Sequence, residues 1–246
     1  MEQENVIRSP SRHAVRAVVK RTCDVMVAAL ALALLLPVML LIALLVVVDS
    51  PGPVFYRAPR AGFRGRPLHM LKFRKMRVST EGAFLTLAED ARLTRVGAWL
   101  VKSKLDELPQ LWHVLRGEMS LVGPRPESPS CVKRYQAEYE AILSVRPGIT
   151  GYTQIAFAQE SSILDPRDPE RHYLTRLLPQ KVALDRLYAD RLSLRRDLWI
   201  LGATILTVVF GQPVAVDRTT GALTPRRRRP EIPIAARADT SSERPA

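Results

Sequence analysis

The chain has 246 residues, 47% of them hydrophobic, and a formal net charge of +13, with two cysteines and four histidines. Cys23 and Cys131 are too few for a disulfide framework or a thiolate zinc site and suit a reducing compartment, while His13, His69, His113 and His172 make no metal-spaced pair. So basic a chain needs anionic partners, which leaves nucleic acid, acidic lipid head groups and phosphorylated substrates.

Residues 1–19 form a basic N-terminal segment with Arg8, Arg12 and Arg16, and Lys20 and Arg21 follow directly. Residues 25–48 are then apolar, with Pro37 near the middle. A cleavable signal peptide has an apolar centre of roughly 7–15 residues before a small-residue cut site. This run is longer and leads into Asp49-Ser50-Pro51-Gly52-Pro53, so a retained membrane anchor is predicted over residues 20–49. Arg57, Arg60, Arg64 and Arg66 follow it, so basic residues flank both ends and both ends belong in the cytoplasm. Pro37 removes a backbone donor and clashes with the preceding turn. A kinked, re-entrant helix hairpin satisfies both flanks; a single spanning helix is the alternative, since proline is tolerated in such helices. Beside a membrane each Lys or Arg is worth about 1 kcal/mol against anionic lipid, so the charge is read as lipid attraction and no nucleic acid is expected.

Residues 50–211 are read as a cytoplasmic domain. After the proline-rich turn a short strand ends near Tyr56. Residues 68–78 alternate as a half-buried strand, with Lys72 and Arg74 on one face and Leu71 and Phe73 on the other. A surface loop over 80–91 precedes an amphipathic helix over 93–101. The next predicted helix covers 106–117: Leu108, Leu111, Trp112 and Leu115 form a buried stripe, Pro109 sits in the first turn and Gly117 ends it. Residues 130–143 and 177–194 also read as helical, the latter with Tyr188, and Arg146-Pro147-Gly148-Ile149-Thr150-Gly151-Tyr152 as a rigid turn. The apolar run 198–210 suits a core or interfacial helix. From residue 212 the composition turns to arginines at 226–229 with Pro, Ala and Ser, predicting a disordered basic tail over 212–246. The expected fold is α/β and predominantly helical: the anchor, then a small catalytic domain with amphipathic interfacial helices and a short sheet or hairpin.

Asp106 and Glu107 are adjacent, so on a helix their side chains diverge by about 100° and cannot share a proton face to face. They can divide roles. An Asp carboxylate can attack phosphorus once cations neutralise the phosphate oxygens, and oxygen ligands suit Mg²⁺, or Mn²⁺ as substitute. On its own, the pair is more simply a complement to the helix dipole.

The surrounding strings change that reading. They are Leu-Asp-Glu-Leu-Pro-Gln-Leu, Arg-Gly-Glu-Met-Ser and Val-Gly-Pro-Arg-Pro-Glu within residues 105–127, with Lys20-Arg21, Ser50-Pro51-Gly52-Pro53, Lys72-Phe73-Arg74, Thr94-Arg95-Val96-Gly97 and Arg146-Pro147-Gly148-Ile149-Thr150-Gly151. Over about residues 20–210 the chain resembles the bacterial sugar transferases, the monotopic polyprenol-phosphate phosphoglycosyl transferases, in their short form. The resemblance implies that Asp106 attacks the β-phosphate of a UDP-sugar, releases UMP and forms a covalent aspartyl phosphosugar. Undecaprenyl phosphate then takes the phosphosugar, in the first membrane step of exopolysaccharide, O-antigen or glycoconjugate synthesis. Glu107 becomes a partner in metal binding or positioning, so Mg²⁺ or Mn²⁺ would sit on Asp106 and Glu107. Arg125 becomes a phosphate-binding residue, and Lys72 and Arg74 lie near the site.

Three positions depart from the family. Leu36 replaces a Ser before the kink proline. Lys75 stands where Thr is usual. Val101 replaces an Arg five residues before the nucleophile, leaving Lys102 or Lys104 as the substitute cation. The Arg146 turn is either a wall for nucleotide or sugar or a rigid structural loop. The implied location is the bacterial inner membrane with the catalytic domain on the cytoplasmic face, and the implied partners are a UDP-sugar, polyprenol phosphate, anionic lipids and downstream glycosyl transferases. The competing readings are a non-catalytic basic membrane adaptor and an ordinary glycosyl transferase that releases UDP.

Overall fold

The computed structural model describes residues 12–78, 85–87, 90–208 and 210–225. Arg8, the arginines at 226–229 and most of the expected loop over 80–91 lie outside the described residues.

The apolar run is helical from Arg12–Asp49 (α1), and the helix continues through Pro37 rather than breaking into two there. At a rise of about 1.5 Å per residue it is about 57 Å long, well over the roughly 30 Å of a bilayer core. Val15–Asp49 is, among the described residues, the one stretch long and apolar enough to cross a membrane. One stripe of α1 packs on the rest of the protein through Ala28, Ile42 and Val46, while Met26, Leu30, Leu34, Leu41, Leu44 and Val48 stay exposed.

Charged groups fix both halves of this helix. Lys20 Nζ donates to Val122 O (3.1 Å) and pairs with Asp197 (2.7 Å). Arg21 donates to the carbonyls of Val114 (2.6 Å) and Leu115 (3.0 Å), and Asp24 accepts from Ser120 Oγ (2.7 Å). At the other end, Asp49 Oδ2 accepts from the backbone N–H of Val96 (2.8 Å). Arg74 donates to carbonyls of Val46, Ser50 and Pro51. Each arginine thus donates to carbonyls at or just beyond a helix end, where the helix's own backbone donors run out.

Strands β1 (Phe55–Ala61) and β2 (Pro67–Phe73) form an antiparallel hairpin that sets Tyr56 opposite Lys72. Ala58, Leu68, Met70 and Phe73 are its buried positions. Helix α2 (Arg95–Ser103) is capped by Thr94, whose hydroxyl accepts from Gly97 N. The predicted helix over 106–117 starts later than expected. Leu105–Glu107 form a single 3-10 turn, and α3 is only Gln110–Arg116, with Pro109 at its cap and Gly117 ending it at φ 81°. The predicted stripe is also rotated: Leu111 and Val114 are buried, but Trp112 is 50% exposed. A short helix with its cap on Pro109 turns its inner face toward the hairpin, and His113 rather than Trp112 faces in.

Strand β3 (Ser120–Val122) pairs in parallel with β4 (Gly148–Thr150). Gly123 and Gly148 let the two backbones touch, since a Cβ on Gly148 would lie 2.0 Å from the Gly123 nitrogen. The helix expected over 130–143 is split at Tyr135 into α4 (Pro129–Arg134) and α5 (Gln136–Ile142). Then come α6 (Tyr152–Ala156), α7 (Glu160–Ile163), α8 (Pro169–His172), a π turn over Tyr173–Leu177, α9 (Leu178–Asp190) and α10 (Leu194–Val208). In α10 Ile200 and Ala203 are buried while Leu198 and Trp199 are exposed, as an amphipathic helix requires.

The predicted disordered tail begins too early. Strands β5 (Val214–Val216) and β6 (Leu223–Pro225) pair as an antiparallel hairpin, and Val214 joins the core beside Tyr152, Ile155 and Ile200. Composition hid this because few apolar residues mark so short a hairpin. The main core gathers α3, β3, α6, α9 and α10. A second cluster lies between α5 and α9. A third joins Ile42 and Val46 of α1 to Phe73 and Leu100, with Leu105 and Leu108 packed against it.

Candidate active site

Leu105 and Leu108 bracket Asp106 and Glu107 and pack on the cluster that includes α1, so the carboxylate pair is pinned beside the anchor. Asp106 is buried, its side chain 6% exposed, and Glu107 is partly buried. Lys72 and Arg125 both bind the same oxygen of Glu107: Lys72 Nζ lies 2.7 Å and Arg125 Nη2 3.1 Å from Oε1. Asp106 has a different partner, Lys75, whose Nζ is 3.7 Å from Oδ2.

The electrostatics divide the pair. Burial pushes the Asp106 carboxyl above its ordinary value and the Glu107 charge adds to this, outweighing the pull of Lys72, Lys75 and Lys104. Burial pushes Glu107 up as well, but the charges and hydrogen bonds of Lys72 and Arg125 win and hold it well below the carboxylate range. Glu107 is therefore a fixed anion, while Asp106 keeps the more basic oxygens, which is how two adjacent carboxylates take separate roles. Burial lowers the Lys75 ammonium, Lys72 and Arg125 lower it further, and Asp106 opposes them.

Lys72 is aimed by its neighbour on β2. The backbone N–H of Leu71 donates to His113 Nε2 (3.1 Å), so the ring's proton is on Nδ1, which donates to Glu118 (2.5 Å). His113 therefore ties α3 to the strand that carries Lys72. Arg125 is aimed from below: its backbone N–H lies 3.4 Å from Asp185 Oδ1, which also accepts from Thr153 Oγ1 (2.6 Å). Asp185 is fully buried, its Oδ2 has no hydrogen-bond partner, and burial pushes its carboxyl up to about 7. Beneath this turn, buried Lys181 pairs with Glu160 (2.6 Å) and Glu127 (3.4 Å), and Glu127 accepts from Tyr173 OH (2.9 Å).

Of the residues singled out by sequence, the structure gathers Asp106, Glu107, Lys72 and Arg125. It does not bring Arg74 to them, because the Arg74 guanidinium is occupied by carbonyls at the end of α1. Arg146 is also elsewhere: its Nε donates to Gly117 O (2.9 Å) and its guanidinium lies 4.9 Å over the Phe63 ring, as a structural turn requires. Lys102 and Lys104 are exposed and, among the described residues, neither makes an ion pair, although Lys104, at the left-handed end of α2 (φ 59°), is near enough for its charge to pull on the Asp106 carboxyl. Pro37 lies within α1. Sequence reasoning passed over Lys75, Asp185, Lys181 and His113; only the departure from Thr at position 75 marked the first of them.

Comparison with known proteins matches residues 15–211 to the family described as bacterial sugar transferase. A UDP-glucose:undecaprenyl-phosphate glucose-1-phosphate transferase of Caulobacter vibrioides is 40% identical over 191 residues, covering 76% of this chain and 68% of that protein. An undecaprenyl-phosphate glucose phosphotransferase of Komagataeibacter xylinus is 38% identical over 78% of this chain and 36% of its own length. A UDP-N-acetylgalactosamine-undecaprenyl-phosphate N-acetylgalactosaminephosphotransferase of Aeromonas hydrophila is 35% identical over 85% of this chain and 48% of its own length. The chain thus spans half or less of the latter two relatives. With a match over most of its length, carrying the carboxylate pair and its cations, the chain belongs to the bacterial sugar transferase family.

Proposed function

We propose that this protein transfers a sugar phosphate from a UDP-sugar to a polyprenol phosphate through a covalent intermediate on Asp106. The observation that carries the reading is the division of the carboxylate pair: Glu107 is spent on Lys72 and Arg125, while Asp106 keeps the higher proton affinity. The names of the relatives support a UDP-sugar donor and an undecaprenyl phosphate acceptor. An Asp106 oxygen attacks the β-phosphorus. An O–P bond forms, the bond from that phosphorus to the bridging oxygen breaks, and its electron pair leaves with UMP. An oxygen of the polyprenol phosphate then attacks the same phosphorus, the bond to Asp106 breaks, and the carboxylate is regenerated beside a polyprenyl diphosphate sugar. Lys72 and Arg125, fixed by Glu107, supply positive charge where the phosphates lie.

The donor set fits a hard divalent ion. Asp106 Oδ1 and Glu107 Oε2 have no protein partner among the described residues. No third Asp, Glu, His or Cys joins them there. Two carboxylates completed by substrate phosphates suit Mg²⁺, or Mn²⁺ in its place. Bound there, the ion would neutralise diphosphate oxygens.

The anchor is read as entering and leaving the membrane by one face, the cytoplasmic one. Support comes from Lys20, Arg21 and Asp24 at one end and Asp49 at the other, all bonded to the same domain. A straight span would carry one of these ends to the far side of the bilayer. The exposed apolar face of α1, with Trp199 and Leu198 of α10, is left for lipid, which holds Asp106 where a lipid-bound phosphate meets a soluble nucleotide. The product would enter envelope glycan synthesis, and downstream glycosyl transferases would extend it.

The test is incubation of the protein with Mg²⁺, a UDP-sugar and undecaprenyl phosphate. UMP is the expected nucleotide, and intact mass should show a phosphosugar adduct that is absent in Asp106→Asn. Release of UDP would mean an ordinary glycosyl transferase, and no turnover with an intact Asp106→Asn phenotype would mean a basic membrane adaptor.

A further inference from the structure

We propose that Lys75 is the catalytic cation of Asp106, the group that compensates charge on the attacking carboxylate and then on the phosphoryl group it receives. This role rests on the reading of Asp106 as nucleophile. The site has cations of two kinds. Lys72 and Arg125 converge on one oxygen of Glu107 and are held in place there. Lys75 meets Asp106 alone, at 3.7 Å, with its side chain only 22% exposed.

The backbone explains why Lys75 points inward. It follows the end of β2, and its carbonyl accepts from Thr94 N (3.0 Å) at the start of α2. Gly97 lies so close that a Cβ there would be 1.9 Å from the Lys75 oxygen. The next residue, Met76, forms a bridge to Leu93. Clamped between these contacts, Lys75 has its Cα fixed and its ammonium directed at the carboxylate pair. Lys102 in the last turn of α2 and Lys104 just after it have no such support, and both are exposed. The cation missing at Val101 is therefore supplied from the end of a strand.

The charge flow gives Lys75 its use. Before attack its ammonium faces the Asp106 carboxylate. As the O–P bond forms, that oxygen becomes the bridging oxygen of an acyl phosphate and the negative charge passes to the phosphoryl oxygens, then leaves with the electron pair on UMP. The ammonium, released from Asp106, lies within reach of those phosphoryl oxygens. In the second step the same cation offsets repulsion between the acceptor phosphate and the covalent phosphosugar. Lys72 and Arg125 stay paired with Glu107 throughout, so they attract the phosphates from fixed positions without exchanging a partner.

The experiment uses the full chain in lipid nanodiscs with Mg²⁺, UDP-glucose or UDP-N-acetylgalactosamine as donor, and undecaprenyl phosphate as acceptor. Single-turnover adduct formation and steady-state UMP release are measured for wild type, Lys75→Met and Lys75→Arg. Lys75→Met should slow adduct formation about 100-fold, as loss of one charge-stabilising donor does, with the donor KM changed no more than about threefold. Lys75→Arg keeps the charge and should recover to within about tenfold of wild type. A Lys75→Met rate within about twofold of wild type would overturn the role. So would Lys75→Arg falling as far as Lys75→Met while keeping the wild-type melting profile, or a loss seen in Lys102→Met or Lys104→Met instead. A wild type that forms no adduct with either donor would overturn the nucleophile reading, and this role with it.

Discussion

Asp185 is where stability should respond to pH. Its carboxyl is fully buried under the turn that carries Arg125, it accepts from Thr153 and the Arg125 backbone, and one of its oxygens has no partner. Burial pushes it up to about 7 from an ordinary 3.8; the nearby Glu127 charge adds to this, and Lys181 opposes. Above pH 3.8 the unfolded chain loses this proton while the folded chain keeps it, so stability falls with rising pH until the folded group also ionises near 7. Between pH 5.5 and 8 that is a loss of about 2 kcal/mol, at about 1.4 kcal/mol per unit. Asp185→Asn retains an acceptor for Thr153 and cannot ionise, so it lacks this slope. The difference in melting temperature, variant minus wild type, should therefore rise by about 6 °C from pH 5.5 to pH 8. The assay is thermal unfolding of both proteins in the same detergent across that range, which cancels every other titrating group. A difference that stays constant within about 1 °C would refute the burial of a protonated carboxyl here.

Two further substitutions probe the same frame. Gly97→Ala would place a Cβ 1.9 Å from a backbone oxygen that cannot yield as a flexible side chain would. It should cost about 3 kcal/mol, lower the melting temperature by about 5–10 °C and slow UMP release by displacing Lys75; an unchanged melt would show that α2 is not clamped on Lys75. Arg125→Lys keeps a charge but loses the planar fork beside Glu107, and should reduce UMP release on the order of 100-fold, whereas a rate within about twofold would mean that Arg125 only balances Glu107.

Much of the architecture was legible because its causes are local. An apolar run of this length can only be a long helix in contact with lipid or core, and Gly117 and the prolines after Asp49 mark ends that a chain must make where they stand. The misreadings have local causes too. Pro109 could start a helix or cap one, and only packing decided that α3 begins at Gln110 with Trp112 outside and His113 inside. The β5–β6 hairpin escaped notice because three-residue strands carry no period that composition can register.

In the site, sequence alone determined that two carboxylates stand side by side and that an arginine follows on a Gly-Pro turn, since both facts are properties of neighbouring residues. Which cation meets which carboxylate was decided only by tertiary structure. Lys72 and Arg125 reach Glu107 from 35 and 18 residues away, and Arg74, on the same strand as far as pattern shows, is drawn off by the carbonyls ending α1. Charge pairing depends on where separate backbones come to rest, and the clamp of α2 on the end of β2 placed Lys75, rather than Lys102 or Lys104, beside Asp106.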